Sequence, residues 1–377
     1  MGLRPENIHA LSLAGLQDDT PELLCIDDIP WTGVFPSNTF ALVDHNRLLP
    51  QYEASNSNVQ VVTVIDHHED EGFYQDSAEP RTIAPAGSCS SHMTRLCPPQ
   101  IPAGLASLLL SAILIDTQGL KVGGNALQVD HEAVAFLLTK TSLSSSSSPT
   151  ELSPSGNNLT DLKFIQDLTT KLSEKKFAVS HLNTRDLLRR DYKQYNLNLP
   201  WVHPRTTIYA GLSTVPVGFK WWIPRDPSEF WSAIRQWMEE NGLYVLGILT
   251  SYHEKKIGRS GKGRHKRQML WVIREGAELF QTSERIKGES NNLIEEHARV
   301  DVDLLASRLW DGLQDSGILQ LKKSDFEKFG TSEKDAGGAL RVRIYKQGNT
   351  DATRKVTAPL MKSILEGPVD AAGKMRL

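Results

Sequence analysis

Two short apolar runs in this 377-residue chain end in residue types that bind metals. Residues 59–65 (VQVVTVI) lead straight into Asp66, His67 and His68, and residues 40–43 (FALV) lead into Asp44, His45 and Asn46. A third carboxylate, Asp116, closes the apolar stretch 108–115 (LLLSAILI). Carboxylate oxygens and imidazole nitrogens are the mixed donor set of manganese, cobalt, zinc or magnesium sites. A charged group at the end of an almost wholly apolar segment needs a partner, and a metal is one way to supply it. The plain alternative is that each aspartate caps the helix that follows. A single aspartate would favour the cap; three of them with two adjacent histidines favour a metal.

For these groups to meet, the apolar runs must be strands whose carboxyl ends share one edge of a sheet, where open α/β folds bind their ligands. Residues 59–65 are rich in β-branched side chains, which suit a parallel sheet covered on both faces. A further strand is expected at 22–26 (ELLCI) and a buried helix at 104–115. Residues 87–91 (GSCSS) precede a short helical stretch. Glycine there permits close backbone approach, and free N–H groups at a helix start attract phosphate.

The serine-rich stretch 141–155 (TSLSSSSSPTELSPS) cannot bury enough apolar surface to order itself and is read as a disordered spacer. Beyond it the pattern predicts helices at 161–176, 184–192, 230–240 and 300–312. Strands are predicted at 207–212, 244–250, 269–273 and 339–345. The run 255–267 (KKIGRSGKGRHKR) holds seven Lys or Arg, one His and no acid. It reads as a long loop, either a solvated basic surface or an electrostatic guide for a polyanion. Arg354 and Lys355 follow Thr353 at a loop-to-helix junction. There an arginine fork and a lysine point charge can grip a phosphate, against the plain reading of a solvated surface pair.

A chain of this length is expected to form two domains. No apolar run approaches the length of a membrane span, and the first ten residues hold no secretory-type apolar segment. Three cysteines give no disulfide framework and fit a reducing, cytoplasmic setting. A net charge of −3 disfavours a general nucleic-acid binder, so a polyanion would need a local basic patch.

The segments 43–46 (VDHN), 65–68 (IDHH), 87–91 (GSCSS), 112–117 (AILIDT), 190–195 (RDYKQY), 211–213 (GLS), 249–251 (LTS) and 352–355 (ATRK) form an ordered set. In that order the chain resembles the DHH phosphoesterase family, in the branch with a DHHA2 C-terminal domain, and within it most of all the fungal exopolyphosphatases. The resemblance implies an α/β fold with a parallel-sheet DHH domain at 1–140 and the serine-rich insertion at 141–160. Linker helices and a smaller α/β DHHA2 domain would fill 161–377, with the active site in the cleft between the domains. It implies Asp44, His67 and Asp116 as metal ligands. His68, near the bridging phosphate, and Asp66, orienting a histidine, would be catalytic. Ser88, Lys193, Arg354 and Lys355 would bind substrate. The cofactor would be a divalent metal, Mn or Mg, with Co or Zn also compatible. The substrate would be inorganic polyphosphate or another small phosphoanhydride, with orthophosphate released from the chain end. An inorganic pyrophosphatase, a prune-type cyclic-nucleotide phosphodiesterase and a non-catalytic interaction protein are the alternatives.

One departure stands out. The family opens with a strand bearing an Asp-x-Asp-Ser arrangement, and no such segment precedes Asp44; Asp18-Asp19 and Asp27-Asp28 are adjacent pairs. The expectation is a chain that begins inside the parental domain, lacks three ligand positions and a central strand, and catalyses poorly or not at all.

Overall fold

The computed structural model describes residues 2–16, 24, 28–29, 35–53, 58–143, 159–203, 206–254, 263–274 and 300–367. The chain forms two compact units, Met1–Ala178 and Val179–Leu377.

In the first unit helix α1 (Pro5–Leu13) precedes strand β1 (Thr39–Val43), the short helix α2 (Pro50–Glu53) and strand β2 (Gln60–Asp66). Strand β3 (Arg81–Ile83) and helices α3 (Cys89–Arg95), α4 (Ala103–Asp116), α5 (Gln128–Leu138) and α6 (Lys163–Phe177) complete it. The strands pair in the order β1-β2-β3, both pairs parallel, so their carboxyl ends lie at one edge. The β-branched run is buried only in part: Val61, Val64 and Ile65 are buried, with Leu42 and Leu48 packed in the same cluster as Val61 and Val64, but Val62 is exposed, so the strand is not covered along its whole length on both faces as expected. Helix α4 buries Leu110, Ile113 and Leu114 against Val134 and Leu137 of α5 and Ile165 and Leu172 of α6. Its serines are tolerated inside because Ser107 and Ser111 donate to the carbonyls of Ala103 and Ser107, one turn back. The strand expected at 22–26 falls outside the described residues apart from Leu24, as does most of the serine-rich insertion, 144–158.

The second unit opens with helix α7 (Thr184–Arg190) and strands β4 (Tyr192–Leu199) and β5 (Thr206–Val215). Helices α8 (Phe219–Trp222) and α9 (Pro227–Glu240) lead to strands β6 (Leu243–Glu254) and β7 (Arg264–Arg274). Helix α10 (Val302–Asp315), strands β8 (Leu321–Ser324) and β9 (Leu340–Gln347), and helix α11 (Arg354–Glu366) follow. The sheet order is β4-β5-β6-β7-β9-β8. Only β5 and β6 run parallel; the other pairs are antiparallel. A parallel pair needs a crossover, and α8 and α9 lie in it. Asp226 caps α9 by accepting from the Glu229 N–H, with Pro227 at the first helical position, and Asp301 caps α10 in the same way. The core packs Trp271, Tyr345 and Leu249 of the sheet with Leu305 and Leu309 of α10 and Met361 and Ile364 of α11.

Two expectations need correction. The helix placed at 184–192 stops at Arg190, and Tyr192 already belongs to β4. The basic run is not all loop: residues 264–267 lie in β7, paired with β6, while 255–262 fall outside the described residues. In an antiparallel ladder the backbone is satisfied by its neighbours, and alternate cations can stand in solvent, so charge alone does not exclude a strand.

Candidate metal centre

The carboxyl edge of β1 and β2 brings three sequence-selected residues together. Asp44, His67 and His68 each offer a ligand atom, and these atoms all lie within 4.8 Å of one another. Asp44 follows β1 with φ of +66°, the left-handed region, and its N–H donates to the Ile65 carbonyl at 3.0 Å. Most L-residues are disfavoured there, and aspartate is one of the few that adopts it readily.

The histidines are oriented by hydrogen bonds. His67 Nδ1 lies 3.0 Å from the Ala86 carbonyl oxygen. A carbonyl can only accept, so Nδ1 carries the proton and Nε2 is left as the ligand nitrogen. That Nε2 is 3.3 Å from Asp44 Oδ1. A lone pair and a carboxylate oxygen this close repel unless a proton or a cation lies between them. The donor set therefore fits a divalent ion.

His68 Nδ1 donates to Asp66 Oδ1 at 2.7 Å. Asp66 is fully buried and also accepts from the His67 N–H at 2.7 Å and from Asn46 Nδ2 at 2.7 Å. Burial by itself would raise this carboxyl. The bonds from His68, Asn46 and the His67 amide outweigh it and hold Asp66 well below the usual carboxylate range. Asp66 is thus the buried anchor that fixes both histidines. His45 turns its ring to the Val43 carbonyl, 2.9 Å away, and is exposed.

Asp116, expected as a ligand, stands outside the three-residue cluster, although it feels the charges of Asp44 and His67. The protein around it raises its carboxyl, opposed by the hydrogen bond that Ser88 Oγ donates to Asp116 Oδ2 at 2.7 Å. Ser88 sits at the start of α3, with its hydroxyl spent on Asp116 and not on capping the helix.

Sequence reasoning missed two supports. Asn46 bridges the site, donating to Asp66 and to the Glu69 carbonyl and accepting from the Glu71 N–H. Asp130, fully buried, accepts from the N–H groups of Gly87, Ser88 and Leu127 and from Ser91 Oγ. It ties the 87–91 loop to α5; the only signal in the sequence is an acid in the first turn of that helix. A side chain at Gly87 has no room there. A Cβ would lie 2.6 Å from Thr117 Cγ2 and 2.9 Å from Asp130 Oδ2. Gly87→Ala is expected to destabilise the chain by about 1–3 kcal/mol, seen as a lower midpoint in denaturant unfolding.

In the second unit, Arg354 is the first residue of α11, behind the Thr353 cap. Its Nη2 pairs with Asp191 Oδ1 at 2.8 Å and its Nη1 donates to the Asp191 carbonyl at 3.0 Å. Two segments more than 160 residues apart in sequence, 190–195 and 352–355, thereby meet. Lys355 and Lys193 are exposed, and strand alternation puts Lys193 on the face of Tyr195, which feels the Arg354 charge.

Residues 170–364 match the DHHA2 domain family. Over 390 aligned residues the chain is 32% identical to a Schizosaccharomyces pombe protein named as an exopolyphosphatase, covering 95% of this chain and 78% of that protein. A local match of 44% identity over 86 residues, 21% of this chain and 26% of the relative, is to a Lactiplantibacillus plantarum protein named as a manganese-dependent inorganic pyrophosphatase. The fold is similar to the crystal structure of a Methanococcus jannaschii protein assigned to the family II inorganic pyrophosphatases. That similarity has a TM-score of 0.53 at 14% identity and covers 97% of this chain and 88% of the other. Strand-end aspartates and histidines in a parallel sheet, a mixed sheet with the 352–355 cations behind it and these matches agree: the chain belongs to the DHH phosphoesterase family, in the branch whose members carry a DHHA2 domain.

Proposed function

We propose that the site of this chain serves hydrolysis of phosphoanhydride bonds with a divalent metal, releasing orthophosphate from the ends of inorganic polyphosphate, and that turnover is low because no Asp-x-Asp-Ser segment stands before Asp44 in this sequence. The observation that carries the reading is the Asp44–His67 pair, a carboxylate oxygen and an imidazole nitrogen 3.3 Å apart on a carbonyl-oriented ring. Asp44 and His67 would hold the ion, with Asp116 as a further donor. Manganese is the first choice, from the names of the pyrophosphatase relatives; magnesium, cobalt and zinc suit the same donors. The chemistry a bound divalent ion supplies is activation of water and neutralisation of phosphoryl charge.

The chain's own residues do the rest. Asp66 fixes His68 through Nδ1, which leaves Nε2 to hydrogen-bond a phosphate oxygen and to hold a proton for the leaving group. Arg354, Lys355 and Lys193 serve as the cations that take up phosphoryl charge, with Ser88 positioning Asp116. Residues 1–140 act as the DHH part, 141–160 as a spacer and 161–377 as linker helices and the DHHA2 part. Among the described residues no helix is long and apolar enough to cross a membrane, and a cytosolic setting with no membrane or nucleic-acid partner is part of the proposal. The deciding assay measures phosphate release from polyphosphate with Mn, Mg, Co or Zn against a chelator control. Metal-dependent release supports the reading; none with any of the four overturns it. Faster turnover of pyrophosphate than of polyphosphate would favour the pyrophosphatase alternative, which the Lactiplantibacillus plantarum match motivates.

Arg354→Ala is expected to act twice. Losing a cation aimed at substrate should reduce phosphate release about tenfold or more. Losing the partly solvated Asp191 contacts should lower stability by only about 1 kcal/mol. Lys355→Ala should reduce turnover alone. Unchanged release from both variants, with pyrophosphate and polyphosphate, would reduce these cations to surface charge.

A further inference from the structure

A second concentration of positive charge lies in the second unit. Lys220, Arg264, Lys266, Arg267, Lys328 and Lys346 line a pocket of about 510 Å³. Among the described residues the only acid lining it is Glu254, which pairs with Lys266 and also feels Lys220 and Lys346. Asp325 takes up Lys328, and Asp351 faces Arg267, whose Nε donates to the Thr350 carbonyl at 2.6 Å. Three positive charges remain over these acids among the described residues, in a chain whose net charge is −3.

The arrangement is built by strand geometry. Arg264 and Lys266 alternate along β7 and share one face with Gln268. Lys346 of β9 stands directly across from Gln268, and Tyr252 and Glu254 of β6 stand across from Lys266 and Arg264. Lys220 comes from α8, which is held to the same place because Gln268 Oε1 accepts the Phe219 N–H at 3.0 Å. Gly218 lets this helix close down, since a Cβ there would lie 2.6 Å from the Tyr252 ring. Beside Lys220, Trp221 lines the same pocket with 70% of its surface exposed, an unusual place for the largest apolar side chain.

We infer that this pocket binds a run of consecutive phosphates, separately from the Arg354, Lys355 and Lys193 cations. A linear oligophosphate carries one or more charges on each phosphate. It matches cations spread over β7, β9 and α8 better than a single orthophosphate would. In a hydrolase that works from chain ends, such a site would hold the part of the polymer not being cut; that role, though not the binding itself, rests on the function proposed above. The phosphate run could be free or attached to a nucleoside, and the bare Trp221 ring offers a surface on which a base would stack.

The test is calorimetric titration of the full chain in chelator with inorganic tripolyphosphate, repeated with adenosine triphosphate. Tripolyphosphate binding should weaken about tenfold or more in Lys220→Gln/Lys346→Gln and with rising salt. It should persist in Arg354→Ala. Equal affinity in Lys220→Gln/Lys346→Gln and wild type, or loss in Arg354→Ala alone, overturns the assignment. Tighter binding of the nucleotide than of tripolyphosphate, lost in Trp221→Ala, assigns the phosphate run to a nucleoside. Equal binding of the two assigns it to the free polymer. Because binding is read in chelator, without the metal that the proposed hydrolysis needs, these results stand whether or not the metal assay succeeds.

Discussion

His67→Ala is expected to lower metal-dependent phosphate release at least about a hundredfold and to weaken manganese binding by a similar factor. Loss of an outer partner of a metal ligand already costs about 10–100-fold in affinity, and His67 is read as a ligand itself. Its Nδ1 is turned to the Ala86 carbonyl, and its Nε2 lies 3.3 Å from Asp44 Oδ1. The fold should survive, because the ring's bond to Ala86 contributes only about 1 kcal/mol. Manganese titration by calorimetry, with circular dichroism of the same sample, separates the two effects. Wild-type turnover and affinity in a folded His67→Ala chain would remove His67 from the metal site.

Asp66→Ala is expected to destabilise the protein by about 3–5 kcal/mol, a figure typical of breaking a buried charged pair on one side. The change strips an acceptor from Asn46, the His67 and His68 amides and the His68 ring at once, and the carboxylate it removes is fully buried. Asp66→Asn should lose less, since an amide oxygen still accepts. The pH dependence has a definite sign. The folded Asp66 carboxyl lies below its unfolded value of about 3.9, so its contribution is fully present above that value and is lost as pH falls through the lower folded one. Wild type should therefore outlast Asp66→Ala by the full margin near neutrality, with the two converging in acid. A constant gap down to pH 2 in denaturant titrations would show that the stability comes from packing, not from the charge.

Much of this centre is legible in the sequence because its signals are local. A β-branched run that ends in Asp-His-His announces a buried strand and what stands at its tip; a 14-residue apolar helix ending in Asp116 is equally plain. What fails is whatever depends on partners far along the chain. Strand β4 (YKQYNLNL) has only Leu197 and Leu199 fully buried, so half its length carries no apolar alternation and its first residue passes for the end of a helix. The cationic start of β7 looks like loop until β6 and β9 are set beside it. Asp130 has no motif around it, and its four donors come from two separate segments. His68, assigned to the phosphate, joins Asp44 and His67 in the cluster while Asp116 stands beside it. Sequence spacing orders strand ends along an edge but does not say how far each side chain reaches.

The left-handed turn at Asp44 narrows what this position can accept. Among L-residues only asparagine and aspartate visit that conformation readily, and most others are disfavoured there by roughly 1–2 kcal/mol. Glutamate would keep the carboxylate but bring a backbone preference for the other hand, so chemical equivalence is no guide to exchange at this residue. Asparagine isolates the charge, glycine isolates the side chain with the backbone at ease, and alanine confounds both. The shape of the main chain, as much as the ligand it carries, selects which amino acids can occupy the tip of the first strand.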